Sequence, residues 1–305
     1  MLINLCKKQL VSRGNVPAWL PEAVQYEATM GSEAYGVSSN TSDIDLYGFA
    51  IPDKQDLFPH LRGEIDGFGT QKARFEVWQM HHIEDKEARG GAGGVYDCQY
   101  YSIVKYLDLV MHNNPNMLDS LFVPQRCIRF ATPVGQRIRD SRKLFLHKGS
   151  WHTFRGYAFS QLNKMFTKEY KNSPKRRADI EKHGYSTKEA YHTVRLMLEA
   201  EQILLEGDLD LERNRELLKT IRAGSWTADE VKQYFTDKER QLEQAYADSK
   251  LRHSPDEAAI KALLLDCLEQ HFGSLTTAVV REDAVIRAMK QIEDIVQGLR
   301  NGGAI

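Results

Sequence analysis

The segment from Gly31 to Gly48, GSEAYGVSSNTSDIDLYG, constrains this chain more than any other stretch. It opens on a Gly31-Ser32 pair and closes on two aspartates, Asp43 and Asp45, separated by one apolar residue. Successive side chains of a β-strand point to opposite faces, so the two carboxylates share one face. Paired carboxylates beside a turn whose N–H groups can hold phosphate suit metal-dependent phosphoryl or nucleotidyl transfer. The alternative is a solvated acidic strand end beside a surface turn.

The first half of the chain mixes strand and helix patterns. Alternating, aromatic or β-branched runs predict strands, or for the first run a strand or helix end, at Val24–Met30, Ser42–Ile51, Phe75–Ile83 and Val95–Tyr101. The charged and then glycine-rich segment 84–94 lacks the Lys-Ser/Thr pair of a phosphate-binding loop. We therefore expect it to be a mobile linker.

The second half is nearly all helical pattern. Ile103, Tyr106, Leu107 and Val110 have helical spacing, and the segment 113–116 (Asn-Asn-Pro-Asn) ends that helix, with Asn116 or a neighbour capping the next. Beyond Pro133, amphipathic patterns cover 134–146, 150–171, 186–206, 210–222, 227–249 and 255–271. We expect an α+β fold. A small mixed-sheet catalytic domain would span 1–130, and a helical domain completing its cleft would span 131–305.

Charge is balanced over the whole chain but not along it. The 41 basic and 42 acidic residues leave a net charge of −1. Between Arg137 and Arg195, however, fifteen Lys and Arg stand against five Asp and Glu. The densest part holds Lys164, Lys168, Lys171, Lys175, Arg176, Arg177 and Lys182. This region suits polyphosphate or nucleic acid, and a solvated basic surface is an equally good interpretation.

The cysteine pattern and the hydropathy predict a cytoplasmic protein without a membrane anchor. The four cysteines are scattered, with no Cys-x-x-Cys pair, which indicates reduced thiols rather than disulfides or a zinc site. No run approaches the roughly 18 apolar residues that a membrane-spanning helix needs. The first residues do not have the pattern of a signal peptide.

Three motifs resemble a known family. The order of Gly31-Ser32, Gly36, Ser42-Asp43 and Asp45 resembles the signature of the DNA polymerase β-type nucleotidyltransferase superfamily. The segments 113–122 and 188–196 are similar to those of one branch, the RlaP-type predicted nucleotidyltransferases. The resemblance covers about residues 28–270. It implies a polymerase β-like catalytic domain, an NTP substrate and two Mg²⁺ or Mn²⁺ ions.

The chemistry of this superfamily requires a third carboxylate on a strand next to Asp43 and Asp45. Asp97 is the first choice, because it is the only acidic residue of the predicted strand 95–101. Glu76, between Phe75 and Val77, is the alternative. Asp43, Asp45 and Asp97 are therefore the predicted metal ligands and catalytic residues, since Mg²⁺ prefers carboxylate and phosphate oxygens.

The predicted nucleotide site combines the turn with a helix. The resemblance implies that Gly31, Ser32, Tyr35, Gly36 and Ser42 surround the phosphates, although Tyr35 fits simple packing equally well. Lys188, His192 and Arg195 recur at i, i+4 and i+7 on one helix face. That stripe is suited to hold a triphosphate or the departing pyrophosphate. Its alternative is a partly buried polar face paired with acids such as Glu199.

Adjacent histidines, His81 and His82, fall in a predicted strand. Neighbouring strand residues point to opposite faces, so a structural role is favoured over a metal site.

The function expected from the resemblance is transfer of a nucleoside monophosphate from an NTP, with release of pyrophosphate. An RNA or DNA 3′ end is the favoured acceptor, because the branch is linked with RNA repair. Nucleotidylation of a protein or small molecule is a second hypothesis. A non-catalytic nucleotide sensor or nucleic-acid-binding module on the same fold is a third. The oligomeric state stays open.

Overall fold

A mixed five-stranded sheet occupies the first half of the described chain. The computed structural model describes residues 16–38, 42–58, 74–166, 174–274 and 292. The strands are β1 (Val24–Thr29), β2 (Ile44–Ala50), β3 (Val77–Asp85), β4 (Gly94–Ser102) and β5 (Ile128–Ala131), in the order β3-β4-β2-β1-β5. β2 and β4 are parallel, and the other neighbours are antiparallel. The sheet therefore brings β2 and β4, the two strands that carry aspartates, side by side.

The alternation of burial along β4 shows how the two faces of the sheet differ. Tyr96, Cys98 and Tyr100 are buried, whereas Asp97 and Gln99 between them are only half-buried. The buried set packs with Leu46 and Trp78 in one apolar cluster. On β2, Phe49 belongs to the other cluster, which faces the helices. Because residues two apart share a face, Asp45 lies on the helical side of the sheet with Phe49.

Four of the five strands were predicted from the sequence, with ends shifted by a few residues. β5 was missed, because four residues are too few to show alternation. The predicted linker at 84–94 connects the antiparallel strands β3 and β4. It contains a helical turn, Ala88–Gly91, in which Arg89 and Gly90 have positive φ values of 53° and 70°.

Nine helices of eight or more residues lie in the described part of the chain. They are α1 (Ile103–Met111), α2 (Pro115–Phe122), α3 (Pro133–Asp140), α4 (Ser150–Lys164), α5 (Pro174–His183), α6 (Thr187–Glu206), α7 (Arg215–Arg222), α8 (Ala228–Asp248) and α9 (Glu257–Phe272). The cap of α2 is Asn114 rather than Asn116. The Asn114 side chain accepts the Met117 N–H at 3.3 Å, and Pro115 takes the first helical position, where no N–H is needed.

The predicted segments are helical, but several of the helices begin or end at other residues than predicted. The segment 134–146 is divided at Ser141 into α3 and a 3₁₀ turn, Arg142–Phe145. The segment 210–222 becomes helical only from Arg215. Residues 167–171, which were predicted to extend the helix that begins at Ser150, lie outside the described residues.

One apolar cluster joins the sheet to the helices. It contains Tyr26 and Phe49 of the sheet, Tyr191 and Met197 of α6, and Phe235 of α8. Around it, α4 and α8 pack on α6, and α9 packs on α1 and α3. The predicted boundary near residue 130 thus crosses a shared core, and as a domain boundary it stays a prediction. Within the described residues, no helix combines the length and apolar character that crossing a bilayer requires.

Candidate functional site

Asp45 and Asp97 lie directly opposite each other on neighbouring strands. The parallel pairing of β2 with β4 places the Cα of Asp45 beside that of Asp97, and both residues are half-buried. Asp43 is exposed and immediately precedes β2. The pairing of two distant strands therefore brings the first-choice third carboxylate to the Asp-x-Asp strand.

Glu76, the alternative third carboxylate, lies at the far end of the sheet. Its carbonyl accepts the N–H of Ser102, five residues beyond Asp97 along β4. Five strand residues span about 17 Å. The Glu76 carboxylate is exposed and pairs with Arg74 at 2.9 Å. The geometry thus separates Glu76 from Asp45.

Asp45 is half-buried and lies among other negative charges. Burial raises the pKa of Asp45 from 3.8 to about 6, and repulsion from Asp97 and Asp43 adds to the rise. Lys188 and His81 lie near enough to oppose it. Carboxylates crowded in this way are more stable beside a cation, and hard oxygen ligands are what Mg²⁺ and Mn²⁺ prefer. In charge and in donor type, the residues present fit a divalent cation.

Asp45 and Asp97 are neighbours on adjacent strands, but they do not form part of a complete set of metal ligands in the described residues. Across the described ranges, no three His, Cys, Asp or Glu side chains stand close enough together to hold a metal ion. Metal binding by Asp43, Asp45 and Asp97 therefore stays a prediction.

The Gly-Ser turn lies against the Asp45 carboxylate. Gly31 has a φ of 62°, and a Cβ added there would come within 1.9 Å of Asp45 Oδ2. The neighbouring Met30 N–H donates to the Asp45 carbonyl at 2.7 Å. Ser32 follows in the helical turn Gly31–Ala34 and is half-buried. Only glycine fits at position 31, for both backbone conformation and space.

Gly36 and Ser42 complete the predicted phosphate segment, but their nearest described contacts lie elsewhere. Gly36 has a φ of 66°, and a Cβ there would lie 3.1 Å from Glu212 Oε1, in the segment before α7. The Ser42 carbonyl accepts a hydrogen bond from the Arg89 guanidinium. The second glycine thus lets the turn approach the helical part of the protein.

Lys188, in the first turn of α6, brings a positive charge near Asp45. Lys188 is half-buried, and its charge lowers the pKa of Asp45, so the ammonium lies near that carboxylate. His192, one turn later, is also half-buried, with its ring centroid 4.6 Å from that of Tyr191. The structure therefore brings Lys188 to the acidic site.

Arg195 does not join the predicted cationic stripe. Its side chain is 5 % exposed, and Nη1 lies 2.7 Å from Asp119 Oδ2 and 3.0 Å from Glu199 Oε1. Arg195 follows Lys188 on the same side of α6, but two turns deeper, where other elements cover the helix. The alternative interpretation, a buried polar face paired with Glu199, describes what is observed.

Tyr35 also packs instead of lining an open site. Its hydroxyl donates to Asp119 Oδ2 at 2.6 Å and accepts from Arg195 Nη1 at 2.6 Å. The Arg195 guanidinium stacks 4.3 Å from the Tyr35 ring centroid. Burial raises the pKa of Tyr35, of Asp119 and of Glu199, although Arg195 opposes the rise. Tyr35, Asp119, Arg195 and Glu199, called here the Arg195 cluster, connect the Gly-Ser turn to α2 and α6.

A β-bulge that the sequence did not reveal surrounds Asp97. Met80 pairs with Cys98 and Ile83 with Tyr96, so two residues, His81 and His82, oppose Asp97 alone. The His82 N–H donates to Asp97 Oδ1 at 2.8 Å, and His81 Nδ1 lies 3.5 Å from Oδ2. The argument from strand alternation fails here, because the extra residue interrupts the period of two.

The described parts of the basic region are partly neutralised. Arg137 pairs with Asp266 at 2.6 Å, and Arg155 pairs with Glu239. Lys168 and Lys171 lie outside the described residues, as do the side chains of Lys175 and Arg176. A nucleic-acid-binding role for this region stays a prediction.

Comparisons with known proteins bear on this site. No curated protein matches the chain. A nucleotidyltransferase-like protein from Exiguobacterium sibiricum 255-15, whose structure is solved, is 9% identical over 99% of this chain and 92% of its own, with a TM-score of 0.28. Residues 9–277 match the RlaP family, described as the RNA repair pathway DNA polymerase beta family. Membership implies nucleotide substrates and, generally, the use of a divalent metal. The match includes the turn, both aspartate strands and α6, so the chain belongs to the RlaP family of polymerase β-type nucleotidyltransferases in RNA repair.

Proposed function

We propose that this protein transfers a nucleoside monophosphate from an NTP to an RNA 3′ end in a metal-dependent reaction that releases pyrophosphate. One observation carries the proposal. Asp45 and Asp97 face each other across β2 and β4, and the Gly31 backbone lies against the Asp45 carboxylate. Paired, partly buried carboxylates beside a glycine turn suit a metal-dependent transfer of a phosphorus-containing group.

Asp43, Asp45 and Asp97 would hold the metal. Two divalent ions bound there would polarise the phosphates and lower the pKa of an attacking hydroxyl. Asp45 on β2 and Asp43 immediately before it would bind both ions, and Asp97 would be a further ligand of the ion on the acceptor side. Burial, and after it repulsion from Asp97 and Asp43, raises the pKa of Asp45 to about 6. This supports the assignment, because a bound cation would offset both effects.

The turn and α6 would bind the triphosphate. Ser32 and the N–H groups of the turn offer donors to the β- and γ-phosphates. Lys188, near Asp45, supplies a positive charge for the departing pyrophosphate, and His192 lies one turn further along α6. Arg195 and Tyr35 would act indirectly, by holding the turn against α2 and α6.

In the proposed reaction, an acceptor hydroxyl oxygen attacks the α-phosphorus of the NTP. The bond between the α-phosphorus and the bridging oxygen breaks, and pyrophosphate leaves with the electron pair, while the hydroxyl proton passes to solvent. An RNA 3′ hydroxyl is favoured as the acceptor because the family is described by an RNA repair pathway. A DNA end, a protein and a small molecule are the competing acceptors.

The test is a transfer assay with the purified protein. Each α-³²P-labelled NTP is incubated with Mg²⁺ or Mn²⁺ and with RNA, DNA and protein acceptors in separate reactions. We expect label on RNA with the wild type and none with the Asp43→Ala/Asp45→Ala variant. Glu76→Ala is the matched control, because it removes an exposed carboxylate at the other end of the sheet and should leave transfer intact.

Each outcome assigns a function. Label on DNA or on protein would retain the enzyme class and replace the acceptor. NTP binding without any transfer would favour the sensor hypothesis. Absence of both NTP binding and transfer would exclude a nucleotidyltransferase.

A further inference from the structure

We infer that the bulge formed by His81 and His82 positions the Asp97 carboxylate, so that its free lone pairs face the cation on the acceptor side. His81 and His82 are positioning residues in this inference, which rests on the function proposed above. It assigns a role to two residues that between them contact both oxygens of Asp97.

β3 departs from regular strand pairing opposite Asp97. In a regular antiparallel pair, one residue of β3 would oppose Asp97. Here two do, since Met80 pairs with Cys98 and Ile83 with Tyr96. A bulge leaves one backbone N–H outside the ladder. That N–H, from His82, donates to the side chain of Asp97 at 2.8 Å instead of to a backbone carbonyl.

His82 has an uncommon backbone conformation. Its φ is 57°, in the left-handed region that non-glycine residues rarely adopt. This conformation aims the His82 N–H at Asp97 Oδ1. Uncommon backbone conformations of this kind persist where the surrounding structure holds them, and they cluster at functional sites. Here the unusual backbone conformation of His82 allows its N–H to hydrogen-bond to Asp97.

The two carboxylate oxygens of Asp97 have different contacts. Oδ1 accepts from His82, and Oδ2 faces His81 Nδ1 at 3.5 Å. Each carboxylate oxygen has two lone pairs, so each retains one for a cation. Contacts to both oxygens limit rotation of the carboxylate. Ligating carboxylates are commonly oriented by contacts such as the His82 hydrogen bond, from groups that do not themselves bind the metal.

A packing role for the two histidines does not account for this arrangement. Both residues are exposed, and the His81 side chain is 48 % exposed. The edge position of β3 offers a competing explanation, because bulges also blunt edge strands against aggregation. If the bulge only protects the edge strand, removing it should leave metal binding unchanged. A measurement of metal binding therefore distinguishes the two explanations.

The test measures Mn²⁺ binding by electron paramagnetic resonance, with an NTP analogue whose α and β phosphorus atoms are joined by a methylene group. The variants are His81→Phe, which keeps the ring shape but removes the nitrogens, and a deletion of His82, which restores one-to-one pairing. His81→Gln retains a donor. Gln79→Ala, on the same strand, is the control because Gln79 pairs with Gln99 and not with Asp97.

We expect wild type and Gln79→Ala to bind two Mn²⁺. In His81→Phe and in the deletion, one of the two should weaken by about 10-fold or more, the usual effect of removing a partner that orients a ligand. His81→Gln should restore most of the affinity. Thermal melts show whether each variant is folded. If the deletion does not fold, the comparison of His81→Phe with His81→Gln tests the inference.

Two results would overturn the inference, and they are distinguishable. If His81→Phe and the folded deletion bind two Mn²⁺ as tightly as wild type does, the bulge does not position Asp97, and the proposed function stands. If wild type itself binds no Mn²⁺ with the analogue present, the metal-dependent function fails together with the inference.

Discussion

At the scale of single residues, the site depends on the contact between Gly31 and Asp45. The turn approaches so closely that a Cβ at position 31 would overlap Asp45 Oδ2, at 1.9 Å. The glycine of the motif therefore makes room for the carboxylate, in addition to the phosphate-binding role proposed for the turn. This role is visible only when β2 is placed beside the turn.

Gly31→Ala should displace the Asp45 carboxylate and reduce nucleotidyl transfer by about 100-fold, since misplacing a reacting group by about 1 Å costs that much. Gly90→Ala is the matched control. Gly90 has a φ of 70°, so alanine meets the same backbone penalty there, yet nothing lies within 4 Å of the added Cβ. Transfer rates and melting temperatures of both variants test the prediction. Equal activity of the two would contradict it.

Asp45 should make the metal-free protein less stable at neutral pH. Its pKa in the folded state is raised to about 6 from 3.8, chiefly by burial and then by Asp97. The folded state therefore binds a proton that the unfolded state has lost, and the free energy of unfolding falls as pH rises from about 4 to about 6. The penalty is fully present above pH 6 and absent below about pH 4.

Asp45→Asn removes this penalty. With EDTA present at pH 7, the variant should be more stable than wild type by at most about 3 kcal/mol, from roughly two pH units at 1.36 kcal/mol each. Urea unfolding between pH 4 and pH 8 measures the difference, which should vanish at the acidic end. Asp43→Asn, at the exposed carboxylate, is the control and should have a smaller effect. A difference that stays constant with pH would be evidence against this account.

At the scale of elements, α6 has two functions along one side. Its first turn brings Lys188 to the acidic site, and two turns later Arg195 is buried between Asp119 and Glu199. Helical periodicity places both residues on one side but does not show where a neighbouring element covers that side. The Arg195 cluster also links α6 to the Gly-Ser turn, so α6 supports the turn as well as facing it.

Substitutions at the two ends of this stripe should have opposite effects. Arg195→Met leaves two carboxylates buried without their guanidinium, which should cost about 3–5 kcal/mol of stability. Lys188→Met should change stability by about 0.5 kcal/mol or less, yet weaken NTP binding by about 10-fold, the value of one charged hydrogen bond. Urea unfolding and NTP titration separate the two. If Arg195→Met has wild-type stability but binds NTP poorly, Arg195 belongs to the cationic stripe that the sequence predicts.

At the scale of the whole molecule, sheet and helices share one apolar cluster. Tyr26 and Phe49 contribute from the sheet, and Tyr191 and Phe235 from the helices. β5, which straddles the predicted boundary near residue 130, and α3, which follows it, both contact β1. The two predicted domains should therefore unfold together.

Tryptophan positions allow this cooperativity to be measured. Trp19 and Trp78 pack in the apolar cluster on the other face of the sheet. Trp151 and Trp226 lie in the helical half and pack in the cluster that joins the sheet to the helices. A Trp19→Phe/Trp78→Phe variant reports the helices, and a Trp151→Phe/Trp226→Phe variant reports the sheet. In each variant, the fluorescence midpoint should coincide with the far-ultraviolet circular dichroism midpoint. Separate midpoints would show that the two parts unfold independently.

The local patterns of the site can be predicted from the residues alone. The Gly31-Ser32 turn, the strand with Asp43 and Asp45, the strand with Asp97 and the helix with Lys188 all follow from periods of 2 and 3.6 and from turn residues. These patterns reflect the chain's own backbone geometry, which acts over a few residues.

How these elements meet depends on long-range packing. The pairing of β2 with β4 placed Asp97 rather than Glu76 beside Asp45, and the packing over α6 buried Arg195. The bulge placed both His81 and His82 at Asp97. A periodic pattern shows which face of its own element a residue occupies. It carries no record of which distant element pairs with that face or covers it, because that choice depends on the combined packing of the whole chain.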